Sequence, residues 1–206
     1  MWNEAQLDEA LSTPSQALID DMARLDGDIM ILGAGGKVGP TLSVMAKRAV
    51  EASGVDRKVI AVSRFTDPFV VALMEKEHVE CISCDLTQPS QIAKLPKVKN
   101  IIYMAGRKFG TNGAECETWE MNVAVPAYVT QHFGAARYVV FSTSNVYPFA
   151  TPKSGGNTED VAVFAHSLGH LLLLGDLLYH GPRNDLPRDY APKEVIAMLN
   201  PLAGQL

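Results

Sequence analysis

Residues 28–39 read Asp28-Ile-Met-Ile-Leu-Gly-Ala-Gly-Gly-Lys-Val-Gly39, a short apolar run followed by a glycine-rich turn. Gly33, Gly36 and Gly39 have the spacing G-x-x-G-x-x-G. Gly33 lets the chain turn tightly off a strand, Gly36 lets the backbone approach a pyrophosphate, and Gly39 lets the next helix pack close to that strand. The N-terminus of that helix offers free N–H groups and a partial positive charge to phosphates. The stretch therefore predicts a dinucleotide-binding turn rather than a plain tight turn.

Strand-like and helix-like patterns alternate after this turn. The strand-like runs are continuously apolar, which is typical of a parallel sheet covered on both faces. The predicted strands are 29–32, 58–63, 79–84, 100–105 and 137–142, and the predicted helices are 37–52, 68–77, 90–94 and 117–133. Right-handed crossovers then give an α/β fold, a doubly wound parallel sheet with strand order 3-2-1-4-5 and helices on both faces. We expect the ligand crevice where strands 1 and 4 diverge.

Residues 1–27 precede this alternation as a predicted helical extension. Thr13 is a plausible N-cap, with Pro14 at the first helical position, because an N-cap hydroxyl and an N1 proline both suit a helix start. Asp26-Gly27 then ends the predicted helix.

Composition narrows the class of protein. The 206 residues are 47% hydrophobic and 20% charged, which fits one domain with a substantial core. A net charge of −5 without a basic cluster argues against a nucleic-acid partner. The acidic N-terminus lacks the apolar core of a signal peptide, and the longest apolar stretch, residues 171–178, is too short to span a bilayer. We therefore expect a cytoplasmic protein with no membrane partner.

Two of the three cysteines, Cys81 and Cys84, form a C-x-x-C pair. The pair lies in a predicted strand, where residues three apart point to opposite faces. We therefore predict reduced thiols rather than a metal or redox site.

Further motifs follow the strands in a fixed order. They are Asp85-Leu86 after strand 3, Ala105-Gly106 after strand 4, Met121-Asn-Val123 in the next helix and Phe141-Ser-Thr-Ser-Asn-Val-Tyr147 at strand 5. Together with the glycine turn, they make residues 28–160 resemble the extended short-chain dehydrogenase/reductases, the NAD-dependent epimerase/dehydratase family that acts on nucleotide sugars. The resemblance implies an NAD or NADP cofactor and a nucleotide-sugar substrate, and homodimers are common in that family.

The resemblance also assigns site residues. In that family the acidic pair after strand 3 contacts the adenine, and the small residues after strand 4 lie under the nicotinamide ribose. Thr143 matches the catalytic hydroxyl, which lies four residues before the tyrosine of its motif. The cofactor-binding residues that the resemblance implies are Gly33, Gly36, Lys37, Val38, Gly39, Ser63, Arg64, Asp85, Leu86, Ala105, Gly106 and Ser142.

The end of strand 2 bears on the choice of cofactor. NAD-binding members usually place an acidic side chain there, whereas this chain has Ser63 followed by Arg64. A carboxylate would repel a 2′-phosphate, and an arginine would pair with it, so the sequence favours NADP over NAD. The alternative is that Arg64 stacks on the adenine or faces solvent.

Arg107 and Lys108 follow strand 4. Their side chains either contact substrate or cofactor phosphates or face solvent.

The chain departs from the family pattern after strand 5. Members continue with Tyr-x-x-x-Lys, in which the lysine lowers the pKa of a tyrosine that acts as acid and base. Tyr147, Tyr179 and Tyr190 are the tyrosines from this point on, and none has a lysine four residues later.

Composition also changes near residue 160. Leucine occurs 9 times in residues 1–160 and 11 times in the far shorter segment 161–206. We predict an atypical leucine-rich tail there, with the substrate domain absent, as a truncated or frameshifted gene would give. One interpretation is an epimerase/dehydratase-like protein that keeps the NAD(P)-binding half, residues 28–160. The others are a catalytically inactive dinucleotide-binding module or enzyme remnant, and a structural α/β domain without cofactor.

Overall fold

The computed structural model describes residues 3–107, 113–142, 147, 150–151, 153–158 and 160–161. The chain divides into two compact units, residues 1–142 and 143–206. The elements of the first unit are α1 (Glu4–Ser12), α2 (Gln16–Arg24), β1 (Ile29–Leu32), α3 (Gly39–Ala52), β2 (Val59–Ser63), α4 (Pro68–Lys76), β3 (Glu80–Ser83), α5 (Pro89–Ile92), β4 (Asn100–Tyr103), α6 (Glu115–Trp119), a π-helical turn (Glu120–Ala124), α7 (Val125–Phe133) and β5 (Arg137–Val140).

The described strands form one parallel sheet with the order β3-β2-β1-β4-β5, as predicted. The strands start in register, because Ile29 pairs with both Val59 and Asn100, and Asn100 pairs with Arg137. The sequence prediction of a doubly wound α/β fold is therefore confirmed. β1 is fully buried, whereas β3 and β5 lie at the edges of the sheet. β3 exposes its two terminal residues, and β5 exposes alternate residues.

The core has two layers, one on each face of the sheet. Successive strand residues point to opposite faces, so Met30 and Leu32 pack on one side and Ile29 and Ile31 on the other. Buried residues of α5 and α7 cover the first face: Ile92, Val125, Val129 and Phe133. Buried residues of α3 and α4 cover the second: Val44, Ala46, Val50 and Met74.

The N-terminal extension differs from the prediction. Thr13 is not an N-cap, since it ends α1 and its hydroxyl donates to the Glu9 carbonyl oxygen at 2.7 Å. Pro14 lies outside both helices, and Ser15 caps α2 by accepting from the Leu18 N–H at 3.3 Å. Residues 1–27 thus contain two helices, because the Thr-Pro-Ser sequence supplies one helix end and one helix start in succession.

Two other predicted helices start two residues away from the predicted position. α3 begins at Gly39 rather than Lys37 because Pro40 lacks an N–H and fits best in the first helical turn. The predicted helix 117–133 starts at Glu115 and contains the π-helical turn, in which the Val125 N–H donates to the Glu120 carbonyl oxygen five residues back. None of the described helices has the length and apolarity needed to cross a bilayer.

Arg48 of α3 joins the extension to the sheet layer. Its Nε donates to Glu77 Oε2 at 3.0 Å, and its Nη1 donates to Glu9 Oε2 at 2.9 Å and to Ser12 Oγ at 3.1 Å. Arg48 and Glu77 are each only 26% exposed, whereas Glu9 is 64% exposed. The contact with Glu77 therefore carries most of the stabilisation, since solvent screens the other pair.

Arg48→Met should lower the free energy of unfolding by about 1–2 kcal/mol at pH 7, because it keeps the apolar stem and removes the charge. The hydrogen bond from Arg48 lowers the pKa of Glu77, so this stabilisation is present above the ordinary glutamate pKa of 4.5 and is lost as the pH falls through the lowered value. Urea unfolding of both proteins at several pH values tests this, and a difference that stays constant down to low pH would contradict it.

Candidate functional site

A cleft of about 270 Å³ opens at the carboxyl ends of β1, β2, β3 and β4. Open α/β sheets bind ligands at this edge, where the order of the strands reverses. Loops that follow four different strands line it, together with one residue of α4 and one residue of the π-helical turn. The lining residues are Gly33, Gly35, Gly36, Ser63, Arg64, Phe65, Thr66, Asp67, Val70, Cys84, Asp85, Leu86, Met104, Ala105, Gly106 and Met121.

The first glycine of the turn is held between two strands. Gly33 has φ +88°, a conformation that side chains disfavour, and its N–H donates to the Val62 carbonyl oxygen at 2.9 Å. A Cβ at this position would lie 2.7 Å from the Ala105 backbone nitrogen. The loops after β1 and β4 therefore touch at Gly33, and a side chain there would push them apart.

The other glycines have different surroundings. A Cβ on Gly39 would lie 2.1 Å from the Ala34 carbonyl oxygen, so only glycine lets α3 approach the end of β1 this closely. A Cβ on Gly35 would lie 2.6 Å from Ser63 Oγ. A Cβ on Gly36 meets only the Gly33 carbonyl oxygen, at 3.6 Å, so this part of the turn presents open backbone to the cleft. A pyrophosphate fits such an open backbone surface.

The loop after β2 places Arg64 beside the cleft. Ser63 is half-buried, and Arg64 is exposed and lines both this cleft and a second cavity. Among the described residues, no carboxylate forms an ion pair with Arg64. Its guanidinium can therefore pair with a ligand anion.

The loop after β3 is fixed by its own hydrogen bonds. Asp85 Oδ1 accepts from the Thr87 N–H at 3.0 Å and from Thr87 Oγ1 at 2.8 Å. The Asp85 N–H donates to Gln91 Oε1 at 2.8 Å, which ties the loop to α5. Leu86 is 5% exposed and belongs to the core. These hydrogen bonds fix the conformation of the loop after β3, which forms one wall of the cleft.

The second cavity, of about 400 Å³, adjoins the cleft, since Arg64, Asp85, Gly106 and Met121 line both. Its other lining residues are Thr87, Arg107, Glu117 and Glu120. Arg107 Nη1 donates to Glu117 Oε2, so an ion pair joins the loop after β4 to α6 across this cavity. The sequence predicted either a phosphate or solvent for Arg107, and it did not predict this contact with Glu117.

The structure brings most of the predicted site residues together. Those that line the cleft are Gly33, Gly36, Ser63, Arg64, Asp85, Leu86, Ala105 and Gly106. Lys37, Val38 and Gly39 lie beyond the cleft lining at the start of α3, and exposed Ser142 follows β5 without lining either cavity. Thr143 and Lys108 lie outside the described residues.

Sequence reasoning missed several lining residues. Gly35, Phe65, Val70, Met104 and Met121 line the cleft without belonging to the site predicted for it. A usable signal existed for Gly35 and Phe65, since each follows a predicted strand end within three residues. Met104 lies inside the predicted strand 100–105, but β4 ends at Tyr103. Val70 and Met121 lie on helices, and their position depends on how those helices pack.

The cysteine pair carries no metal site in the described part of the chain. Cys81 packs on the face covered by α3 and α4, and Cys84 packs on the opposite face, as predicted. Burial, with a smaller effect of Glu75, raises the pKa of the Cys81 thiol to about 11. Burial also raises the pKa of the Cys84 thiol. Among the described residues, no group of three or more metal-ligating side chains converges.

A glycine turn at the end of the central strand, in a doubly wound sheet with its cleft at the switch point, defines a Rossmann fold. The model of the NAD dependent epimerase/dehydratase family matches residues 29–167, well over half of the chain, and the chain belongs to this family.

Solved structures of nucleotide-sugar epimerases have the same fold. ADP-L-glycero-D-manno-heptose-6-epimerase of Helicobacter pylori matches with a TM-score of 0.62 and 18% identity, over 77% of this chain and 51% of that chain. UDP-N-acetylglucosamine 4-epimerase of Methanobrevibacter ruminantium M1 matches with a TM-score of 0.59 and 16% identity, over 75% and 49%. UDP-glucuronic acid 4-epimerase of Bacillus cereus, in complex with NAD, matches with a TM-score of 0.54 and 18% identity, over 73% and 50%. The chain thus spans about half the length of these proteins.

A short similarity connects the chain to a different kind of protein. Over 36 residues it is 58% identical to the phosphodiesterase YfcE of Escherichia coli K12. The match covers 18% of this chain and 20% of that protein, so it spans too little of either to assign a second family.

Proposed function

We propose that this chain is the NAD(P)-binding half of a nucleotide-sugar epimerase or dehydratase. The observation that carries the proposal is the glycine turn, in which Gly33 and Gly39 make close backbone approaches while Gly36 leaves open backbone at the cleft. The Bacillus cereus epimerase, which shares the fold, is in complex with NAD. Family membership supports the same cofactor class for this chain.

The residues of the cleft fit a dinucleotide. The open backbone at Gly36 suits the pyrophosphate, and the adjoining start of α3, with Lys37, Val38 and Gly39, adds the positive end of a helix. Asp85 and Leu86 face the adenine in this proposal, and Ala105 and Gly106 lie under the nicotinamide ribose. A bound nicotinamide supplies the group that accepts a hydride, and the chain binds and orients it.

We propose that the cofactor is NADP rather than NAD. Ser63 and Arg64 stand at the end of β2, where NAD-binding members of the family usually have an acidic side chain. Exposed Arg64 has no ion-pair partner among the described residues and lies at the cleft. A phosphate there would give Arg64 a charge-assisted contact.

The roles of Thr143 and Ser142 in catalysis and cofactor binding are also part of this proposal. Thr143 would hydrogen-bond the reacting oxygen of a nucleotide-sugar substrate, with Ser142 beside the cofactor. The sequence has no Tyr-x-x-x-Lys after β5. This absence favours the second candidate function, a dinucleotide-binding module that does not transfer hydride.

The segment after residue 160 completes the proposal. We propose that residues 28–160 form the NAD(P)-binding domain after the extension 1–27, and that 161–206 is an atypical leucine-rich tail. The family match ends at residue 167, close to this boundary. A cytoplasmic homodimer is the assembly that we expect, and size-exclusion chromatography with light scattering tests it.

Titration of the purified chain with NADPH and NADH tests cofactor binding. We expect both to bind in the micromolar range, NADPH more tightly, with a change in nicotinamide fluorescence. Tighter binding of NADH would contradict the NADP assignment, and no binding to a folded protein would contradict the proposed function. Turnover with UDP-sugars then separates the candidates, because a binding module gives cofactor binding without hydride transfer.

A further inference from the structure

α4 carries apolar residues on its outer side as well as on the side that packs on the sheet. Residues 68–74 of this helix read Pro-Phe-Val-Val-Ala-Leu-Met without a polar residue. Met74 is fully buried in the core, whereas Phe69 is 84% exposed and Leu73 is 37% exposed. A helix that is apolar all round is normally buried all round. The outer side of α4 is therefore a candidate surface for a partner.

The exposed residues of α4 form one stripe along the helix. Residues three, four and seven positions apart share a helix face. Four exposed residues have this spacing, and we call them the α4 face: Phe69, Ala72, Leu73 and Lys76. Asp67, the N-cap, accepts from the Phe69 N–H at 2.9 Å and stands at the amino end of this face. The α4 face thus has an acidic group at one end and a basic group at the other.

Two other helical segments also expose large apolar residues four positions apart. The pairs are Leu7 with Leu11 on α1, and Trp119 with Val123 in α6 and the π-helical turn. Both segments contain acidic residues and no basic one. The one ion pair that each forms with the rest of the described chain leaves it acidic. Pairing either surface with its own copy would therefore bring carboxylates together, which is unfavourable.

We propose that the α4 face binds the α4 face of a second copy of this chain, with the two helices antiparallel. A two-fold axis near Val71, midway between Phe69 and Leu73, packs each Phe69 against the partner's Leu73. The same axis brings Lys76 to the end of the helix that carries the partner's Asp67. Antiparallel helices also place dipole ends of opposite sign side by side.

Charge and size decide between the candidate occupants of this face. An anionic membrane binds helices that have basic residues beside the apolar side. On α4, however, Lys76 lies between Glu75 and Glu77 in sequence. A second copy matches the opposite charges at the two ends of the face. Because a typical interface uses about 20–30 residues on each side and this face has far fewer, we expect a weak dimer with a Kd of about 10–100 μM.

The inference goes beyond the proposed function, because the association needs no nucleotide. The test is sedimentation velocity of the wild-type chain and four variants over about 1–500 μM protein. Two variants change the α4 face, Phe69→Glu and Lys76→Glu. Two are matched controls that place a glutamate at another exposed apolar position, Leu11→Glu and Trp119→Glu. Urea unfolding confirms that each variant is folded.

We expect the wild-type chain to dimerise. Phe69→Glu should weaken the dimer about 30-fold, because the change puts a charge into the apolar contact twice in each dimer. Lys76→Glu should weaken it about fivefold, because the new carboxylate meets the partner's Asp67. Leu11→Glu and Trp119→Glu should dimerise as the wild type does.

Three outcomes would overturn the inference. They are a wild-type chain that stays monomeric, unchanged dimerisation of Phe69→Glu, and an equal loss in either control. A loss in Trp119→Glu alone would place a homodimer on α6 instead, and a monomeric wild type that binds anionic vesicles would assign the α4 face to a membrane. Failure of the proposed function is separate, since it shows as absent nucleotide binding and leaves these masses unchanged.

Discussion

Gly39→Ala should destabilise the protein by about 3 kcal/mol, although alanine is the better helix former. Helix propensity alone favours alanine by about 1 kcal/mol. The new methyl group, however, would lie 2.1 Å from the Ala34 carbonyl oxygen. The methyl carbon is bonded directly to Cα and the oxygen belongs to a peptide group, so neither atom can rotate away. Overpacking of this kind costs about 1–3 kcal/mol, occasionally more, because α3 must move off β1. Urea unfolding followed by circular dichroism measures the loss, and a variant as stable as wild type would contradict the close approach.

Gly36→Ala is the matched control, since it makes the same substitution three residues earlier. Its methyl group would meet only the Gly33 carbonyl oxygen, at 3.6 Å, and Gly36 is not among the residues with positive φ. We expect its free energy of unfolding to stay within about 0.5 kcal/mol of wild type. Its nucleotide affinity should nevertheless fall, because the methyl group occupies the open backbone proposed for the pyrophosphate. Unchanged affinity in this variant would place the phosphates elsewhere.

The sheet was predictable from sequence because its signal is local. β1 spans 29–32 as predicted, since four consecutive apolar residues before a glycine turn fit a strand that is buried on both faces. β4 and β5 each end two residues before the predicted bound. The chain turns away from the sheet there, and residues 104 and 105 line the cleft.

Helix boundaries were less predictable because they depend on particular contacts. Pro40 favours a start of α3 close to Gly39, but it does not select one residue within the first turn. The π-helical turn has no sequence signature of its own. It follows from two demands on one helix, since Val125 packs under the sheet while Asn122 binds the Arg107 backbone.

The residues of the candidate site are also of two kinds, those that the sequence predicts and those whose position depends on helix packing. Residues at strand ends, such as Ser63 and Asp85, were predictable because the carboxyl ends of parallel strands meet at one edge. Val70 and Met121 reach the cleft through helix packing, which no spacing reveals. The Arg107–Glu117 ion pair across the second cavity likewise depends on where α6 lies.

Arg64→Glu should lower the affinity for NADPH by about 100-fold and leave the affinity for NADH within a few-fold. The substitution removes a charge-assisted contact with the 2′-phosphate, worth about 1.5–3 kcal/mol, and adds repulsion from a carboxylate. NADH lacks this phosphate, so its binding neither loses the contact nor meets the repulsion. Because Arg64 is exposed, we expect the variant to be as stable as wild type, and urea unfolding checks this directly.

The control for net charge is Arg24→Glu on α2. Arg24 is 75% exposed, and among the described side chains its ion pair is with Asp21, three residues away. The variant therefore has the same charge change at a position outside the cleft lining. It should bind both nucleotides as wild type does. An equal loss of NADPH affinity in both variants would reveal long-range repulsion rather than a contact at Arg64. Equal weakening of NADH and NADPH by Arg64→Glu would instead favour stacking of Arg64 on the adenine, which both cofactors share.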